Sequence, residues 1–284
     1  MDPAASVLER SAADQSAPVP ASSQARRWRG LAWPRQAWWV ELVVVAVGYG
    51  LYEVVQGAAP SREGVAFANA GRLMRLEHWW HIDGELAVDH WVNAHHWLAL
   101  LAGCYYSTLH YGVTVSVLVW LFFRHPVRYG RWRSAVVVAS VGSLAVYYLW
   151  PLAPPRMAWP GMVDTLAVHH IFGAVAKHGS DQLVNDFAAM PSLHVGWAIW
   201  CAVAVTGTLT ARWRYLAWLY PVATTLVVMG TGNHYLLDGV GGAVAIGLGL
   251  VLTARPWFRQ DQPDEPERSG GSGPDAAAGR PASA

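Results

Sequence analysis

The chain is poor in charged residues and in cysteine. Asp, Glu, Lys and Arg make up 14% of its 284 residues, whereas soluble domains average about 25%, so the composition disfavours a water-soluble protein. The two cysteines, Cys104 and Cys201, lie inside apolar runs, which favours buried thiols over a disulfide or a metal pair. The formal net charge of +1 gives no basic excess with which to bind nucleic acid.

Apolar residues dominate instead. The hydrophobic set makes up 54% of the chain and includes 17 Trp, a residue that concentrates at membrane–water interfaces. Because a bilayer core takes about 20 apolar residues as a helix, we predict an all-α, polytopic membrane protein whose six transmembrane helices form a bundle. The predicted spans are residues 38–57, 97–123, 134–152, 193–211, 215–232 and 235–254.

The two ends differ from this central part. Residues 1–27 and 260–284 are rich in Ala, Ser, Pro, Gly and charged residues and lack apolar periodicity. The ends of the chain, 1–36 and 258–284, are therefore predicted to be disordered cytoplasmic tails. The membrane domain then comprises residues 37–257. Because no apolar segment of a cleaved signal peptide precedes Trp38, we expect the first span to act as a signal anchor.

The distribution of arginine predicts the orientation. With the N-terminus inside, fifteen of the twenty Arg and Lys residues fall on the cytoplasmic side, as the positive-inside rule requires. We therefore expect a plasma-membrane protein with both termini in the cytoplasm. Two long segments, 58–96 and 153–192, then lie outside, and apolar residues at helical spacing predict interfacial helices in the first of them.

Five histidines of this outer segment raise the alternative of a metal site. They are His78, His81, His90, His95 and His96. Four tryptophans lie among them, and polar residues mixed with Trp are typical of interfacial helices. We therefore favour the interfacial interpretation over metal binding.

Three short polar strings lie at the outer ends of spans three, four and six. They are Pro151-Leu152-Ala153-Pro154-Pro155-Arg156, Pro191-Ser192-Leu193-His194 and His234-Tyr235-Leu236-Leu237-Asp238. The topology therefore brings an arginine, two histidines, a serine and an aspartate to one membrane depth. Ionisable residues at such positions indicate a functional site.

These residue types suit phosphoryl transfer. His234 and Asp238 are four residues apart and share a helix face, so the carboxylate can accept the Nδ1 hydrogen and leave Nε2 as a nucleophile or base. Ser192 can cap a helix whose N-terminal amides bind an anion, and Arg156 offers a forked cation for phosphate. A second histidine can serve the leaving group, provided that the two imidazoles differ in pKa.

The three strings also resemble the motifs of a known family. Pro191-Ser192-Leu193-His194 and His234-x-x-x-Asp238 resemble the second and third motifs of the type 2 phosphatidic acid phosphatase superfamily. Pro151-x-x-Pro154-Pro155-Arg156 resembles the first motif of the branch that contains fungal inositol phosphorylceramide synthases. The resemblance covers about residues 38–254.

This resemblance implies a mechanism and a substrate class. His234 would attack phosphorus and become phosphohistidine, Asp238 would orient His234, and His194 would protonate the leaving oxygen. Arg156 and Ser192 would hold the phosphoryl oxygens. The family needs no metal or other cofactor, and the substrate would be a membrane phospholipid or a prenyl phosphate.

The chain departs from the broad phosphatase pattern at two positions. Leu149 stands where the first motif usually has a lysine, and Val228 where the third usually has an arginine. A phosphodiester carries one charge and a phosphomonoester nearly two, so fewer cations favour transfer of an inositol-phosphate-type head group. Folding of Lys177, His169, His170 or His178 over the site would replace the charge, so a lipid phosphomonoester or prenyl diphosphate phosphatase is the alternative.

Other candidates and other classes complete the predictions. His110, with Tyr105 and Tyr106, is expected to line the bundle interior or the substrate cleft, and Lys177, Asn233 and Tyr235 are further candidate substrate contacts. A non-catalytic lipid-binding or transport protein of the same fold is one alternative. Another is a metal-dependent hydrolase with two His and one carboxylate as ligands, although a nearby guanidinium would repel the cation. No sequence feature indicates the oligomeric state.

Overall fold

The computed structural model describes residues 38–58, 62–171 and 187–254. Within these ranges the chain is helical apart from its loops and one isolated parallel bridge between Leu152 and Ala188. The all-α prediction is therefore confirmed. The predicted tails and the candidate residue Lys177 lie outside the described residues.

The helices follow one another with short connections. The first half contains α1 (Trp38–Ala58), α2 (Glu63–Trp79), α3 (Glu85–Asn93), α4 (His96–Cys104), α5 (His110–Arg124) and α6 (Pro126–Leu149). A π-helical segment (Tyr105–Leu109) joins α4 to α5 without a break. The second half contains the one-turn helices α7 (Pro155–Ala158) and α8 (Thr165–Val168), then α9 (Leu193–Thr208), a 3₁₀ helix (Arg212–Trp218), α10 (Leu219–Gly230) and α11 (Leu236–Thr253).

Several of these helices are apolar enough to enter a bilayer. Three stretches of the described chain have the length and composition of a membrane span, namely His96–Arg124, Pro126–Leu149 and Leu236–Thr253. Trp38–Gly48 and Leu193–Thr208 are shorter apolar helices. These helices indicate a membrane protein. Each predicted span coincides with helical structure, while the count of six crossings and the interfacial position of α2 and α3 stay predictions.

The helices differ in extent from three of the predicted spans. α6 begins at Pro126 and not at residue 134, because proline is well suited to the first turn of a helix; the arginines from 128 to 133 therefore lie on this helix and not in a loop. The fifth predicted span is divided, since α10 has only 12 residues and follows a 3₁₀ helix. α9 ends at Thr208, three residues earlier than expected.

The centre of the bundle is the packing of α11 against α6 and α9. A glycine allows the closest approach, because a Cβ atom on Gly242 would overlap the backbone carbonyl oxygen of Ser192. The start of α9 therefore lies directly beside the first turns of α11. On the other side of α11, a stripe of large apolar side chains is exposed, as expected of a face turned towards lipid. The stripe comprises Val240, Val244, Leu248 and Val251.

Replacing Gly242 by Ala is expected to destabilise the protein. The added methyl group meets backbone that belongs to a second helix, so α9 and α11 must separate; overpacking of this kind costs about 1–3 kcal/mol. Thermal unfolding of the detergent-solubilised full chain measures the effect. Gly247→Ala is the matched control, because Gly247 lies on the same helix and a Cβ atom there would meet no atom within 4 Å. Equal melting temperatures for the two variants would contradict the packing argument.

Candidate active site

Arg156 is held in place by the turn that precedes α11. Its backbone amide donates to the carbonyl oxygen of Gly232 at 2.9 Å, and its guanidinium Nη1 donates to Oδ1 of Asn233 at 2.5 Å. Nε lies 3.4 Å from Oδ2 of Asp164, which also caps α8 by accepting from the Ala167 amide. The first and third motifs are therefore in direct contact, and the planar cation has a fixed orientation.

Gly232 makes this contact possible. Its φ angle is +68°, a left-handed conformation that glycine adopts without steric cost. A Cβ atom here would lie 2.8 Å from the carbonyl oxygen of Val163 and 3.1 Å from Cβ of Arg156. A side chain at this position would push the arginine away from the third motif.

Ser192 joins the second motif to the third. It is the N-cap of α9, where its Oγ accepts from the Val195 amide at 3.4 Å. Its own amide donates to the backbone carbonyl oxygen of Asp238 at 2.9 Å. The N-terminal end of α9, where helices bind anions, thus lies next to the residues of α11.

The ring of His234 is oriented by two acceptors. Nδ1 lies 2.9 Å from the carbonyl oxygen of Ala189 and 3.3 Å from Oδ2 of Asp238. Both atoms only accept, so Nδ1 carries the hydrogen and Nε2 keeps its lone pair. The same Oδ2 accepts from the Tyr235 amide at 3.0 Å, which holds the carboxylate in place. Ala189 was not predicted, because a backbone carbonyl has no signature in the sequence.

His194 lies opposite His234. The two ring centroids are 5.9 Å apart, and the ring planes are inclined at 54°. The ring of His194 stacks on Tyr106 at 4.3 Å and hydrogen-bonds to the Tyr106 backbone. Its Nε2 is enclosed and has no hydrogen-bond partner among the described residues.

Two of the further candidate residues, His110 and Tyr235, lie behind the site. His110 is fully buried behind His194, with ring centroids 4.8 Å apart and its Nδ1 2.8 Å from the hydroxyl of Tyr220. Tyr235 is 1% exposed, and buried carboxyl groups lie near its ring. His110 therefore lines the bundle interior, while Tyr235 faces the carboxyl groups behind the site.

The predictions missed two buried glutamates that lie against α11. Oε1 of Glu85 accepts from the Leu236 amide, and Oε1 of Glu77 accepts from the Leu237 amide, both at 2.8 Å. A signal was present in the sequence. Glu77 follows Ala66 and Ala70 at helical spacing on the buried face of α2, where a carboxyl group is unexpected unless it has a partner.

The described residues contain no group of three His, Cys, Asp or Glu side chains arranged to hold a metal ion. The histidines of α2 and α3 make local contacts instead. His78 pairs with Asp83 at 2.7 Å, and Nε2 of His90 lies 2.9 Å from the Gly161 carbonyl oxygen.

Comparison with known proteins agrees with the arrangement of the three motifs. The sequence model described as PAP2 superfamily matches residues 71–252, a range that contains every motif residue described above. No curated protein and no solved structure matches the chain significantly. The family match covers more than half of the chain, and we conclude that this protein belongs to the PAP2 superfamily.

Proposed function

We propose that this protein is a membrane enzyme that transfers the phosphate group of a lipid through a phosphohistidine at His234. Membership of the PAP2 superfamily suggests phosphatase or phosphotransferase activity on lipid phosphates. The observation that carries the proposal is the pair of neighbouring imidazoles, with ring centroids 5.9 Å apart. Of the two, His234 has its Nδ1 hydrogen held by Ala189 and Asp238.

The first step forms the covalent intermediate. Nε2 of His234 attacks phosphorus, the bond from phosphorus to the leaving oxygen breaks, and His194 gives that oxygen its proton. Positive charge develops on the His234 ring, where Asp238 and the Ala189 carbonyl stabilise it. Negative charge develops on the phosphoryl oxygens, which Arg156 and the N-terminal end of α9 receive.

The second step releases the phosphoryl group. Water or a lipid hydroxyl attacks phosphorus, His194 now accepts the proton of the attacking oxygen, and the bond from phosphorus to His234 breaks. His194 therefore ends protonated and His234 neutral, as they began. A ping-pong reaction with a bell-shaped pH profile follows from this exchange of roles.

We infer that the donor is a phosphodiester and that the transferred group is of the inositol-phosphate type. The two positions at which the superfamily pattern carries cations hold Leu149, which is 72% exposed, and Val228, which is buried. Asp164 further offsets the charge of Arg156 at 3.4 Å. A singly charged phosphate suits this balance better than a phosphomonoester does. The proposal assumes six spans, cytoplasmic termini and a site at the outer face of the plasma membrane.

Product analysis by mass spectrometry tests the reaction. The purified full chain is given phosphatidylinositol, phosphatidic acid or a prenyl diphosphate in the presence of a chelator, with and without ceramide or diacylglycerol as acceptor. We expect the head group of phosphatidylinositol to appear on the acceptor. Release of free phosphate from the other two substrates at a higher rate than head-group transfer would instead mean a lipid phosphatase. Activity that is lost in chelator would indicate a metal-dependent hydrolase and would overturn the mechanism.

A further inference from the structure

Two carboxyl groups hold the first turn of α11 from behind the active site. Glu77 on α2 and Glu85 on α3 are both fully buried. They accept hydrogen bonds from the first two backbone amides of α11: Glu77 from Leu237 and Glu85 from Leu236. These amides lie between His234 and Asp238 in the chain, so the two glutamates fix the backbone on which the predicted nucleophile and its orienting acid are carried.

The two carboxyl groups also contact each other. Their side chains are hydrogen-bonding neighbours, and Oε2 of each is buried with no hydrogen-bond donor in reach among the described residues. Ionised carboxylates have no hydrogen to donate, and two adjacent carboxylates in a buried site cannot both be charged without strong repulsion. The contact therefore requires one shared proton.

The surroundings of the pair favour retention of this proton. Burial raises the pKa of Glu77 to about 8 and also raises the pKa of Glu85. The ionisable groups that face the pair are Asp238 and Tyr235, both from the α11 end, and Asp238 is in turn paired with His234. The positive end of the α11 dipole stabilises the single remaining negative charge.

We propose that Glu77 and Glu85 act as a proton-sharing carboxyl pair that positions His234 and Asp238 for the reaction. The inference rests on the proposed function, since it assigns the pair to the same site. Both glutamates are positioning residues, because their contacts with His234 and Asp238 run through the α11 backbone. Loss of either acceptor frees an amide of the first turn and allows the His234–Asp238 geometry to relax.

Glutamine substitutions test the shared proton. In Glu77→Gln or Glu85→Gln, the side-chain oxygen still accepts from the α11 amide, and the new NH₂ group donates to the remaining carboxylate. Each single variant should keep kcat within about threefold of wild type. In the double variant two NH₂ groups face each other, so one side chain must rotate and give up its hydrogen bond from the α11 backbone amide. We expect a loss of about tenfold or more in kcat with little change in KM, as small displacements of catalytic groups produce.

Glu63→Gln is the matched control, because Glu63 lies exposed on the same helix as Glu77. It should leave kcat, KM and the pH profile unchanged. A double variant as active as the single variants would overturn the shared proton. Glu77→Ala, which removes an acceptor altogether, should behave like the double variant.

The pH dependence gives a second test. The folded-state pKa of Glu77 lies above its usual value of 4.5. The stabilisation that its proton provides is therefore complete below pH 4.5 and is lost as the pH rises through about 8. The melting temperature of the wild type should fall above that pH, whereas that of Glu77→Gln, which cannot ionise, should hold to higher pH. Superimposable profiles would contradict the proposal.

A measurement that needs no turnover separates this inference from the proposed function. Nitrogen-15 NMR of labelled histidine in the full chain reports the protonated ring nitrogen of His234, with His234→Ala to assign the signal. The single glutamine variants should preserve the wild-type signal, and the double variant should shift it. An inactive wild type with this pattern would refute the proposed function alone. An active wild type whose His234 signal is unchanged in the double variant would refute the positioning role alone.

Discussion

His234→Ala is expected to lower turnover by about 10³-fold or more, because removal of a covalent nucleophile eliminates the reaction path and not only a contact. The variant should also fail to form a phosphoenzyme. Brief incubation with a substrate labelled in phosphorus, followed by alkaline quenching and peptide mass spectrometry, should find phosphohistidine at position 234 in the wild type and none in the variant.

The control for this experiment is His78→Ala. His78 has a side chain that is 79% exposed and pairs with Asp83, so its removal should leave turnover and labelling unchanged. Retained turnover in His234→Ala would refute the covalent mechanism. If substitution of the other motif residues also left turnover unchanged, the alternative of a lipid-binding or transport protein would be favoured.

The sequence predicted which segments form the site because each motif stands at the end of an apolar run. Helices of similar length that cross one membrane bring their ends to the same depth, so Arg156, His194 and His234 were expected to meet. The structure brings Arg156 into contact with Asn233 and places the rings of the two histidines 5.9 Å apart, inclined at 54°. The chemical roles assigned to these residues stay predictions until the variants are measured.

The contacts that orient these residues were not predictable in the same way. The closest partner of His234 is the carbonyl oxygen of Ala189, and every residue has such an atom. Asp164 approaches Arg156 from the loop that follows α7, in which Val163 lies against Gly232. Contacts of this kind depend on loop conformation, which apolar periodicity does not specify.

The π-helical segment Tyr105–Leu109 was also not predicted. The sequence indicated one regular span over 97–123, and the residues of the segment have no composition that separates them from α-helix. One extra residue per turn shifts the side chains that follow, and such segments often occur at functional sites. Here the segment contains Tyr106, whose ring stacks on His194. Glu77 is the opposite case, because its position on the apolar face of α2 could have been recognised from the sequence.

His194→Ala should reduce turnover of lipid phosphodiesters and phosphomonoesters by about 10²- to 10⁴-fold, the usual contribution of a general acid. The size of the loss should depend on the leaving group. An alkoxide leaves poorly without a proton, whereas the prenyl monophosphate that leaves when the terminal phosphorus of a prenyl diphosphate is attacked is already stable as an anion. The variant should therefore form phosphoenzyme from a prenyl diphosphate much faster than from phosphatidic acid or phosphatidylinositol.

The second half of the reaction predicts what happens next. With water as acceptor, His194 must remove a proton from the attacking oxygen, so the variant should accumulate phosphohistidine and release a single burst of product from a prenyl diphosphate. The wild type should show steady turnover under the same conditions. Because Nε2 of His194 is the enclosed nitrogen without a partner among the described residues, one imidazole would serve both proton transfers. An equal loss on all three substrates, with no burst, would mean that His194 supports the site structurally through its stacking on Tyr106.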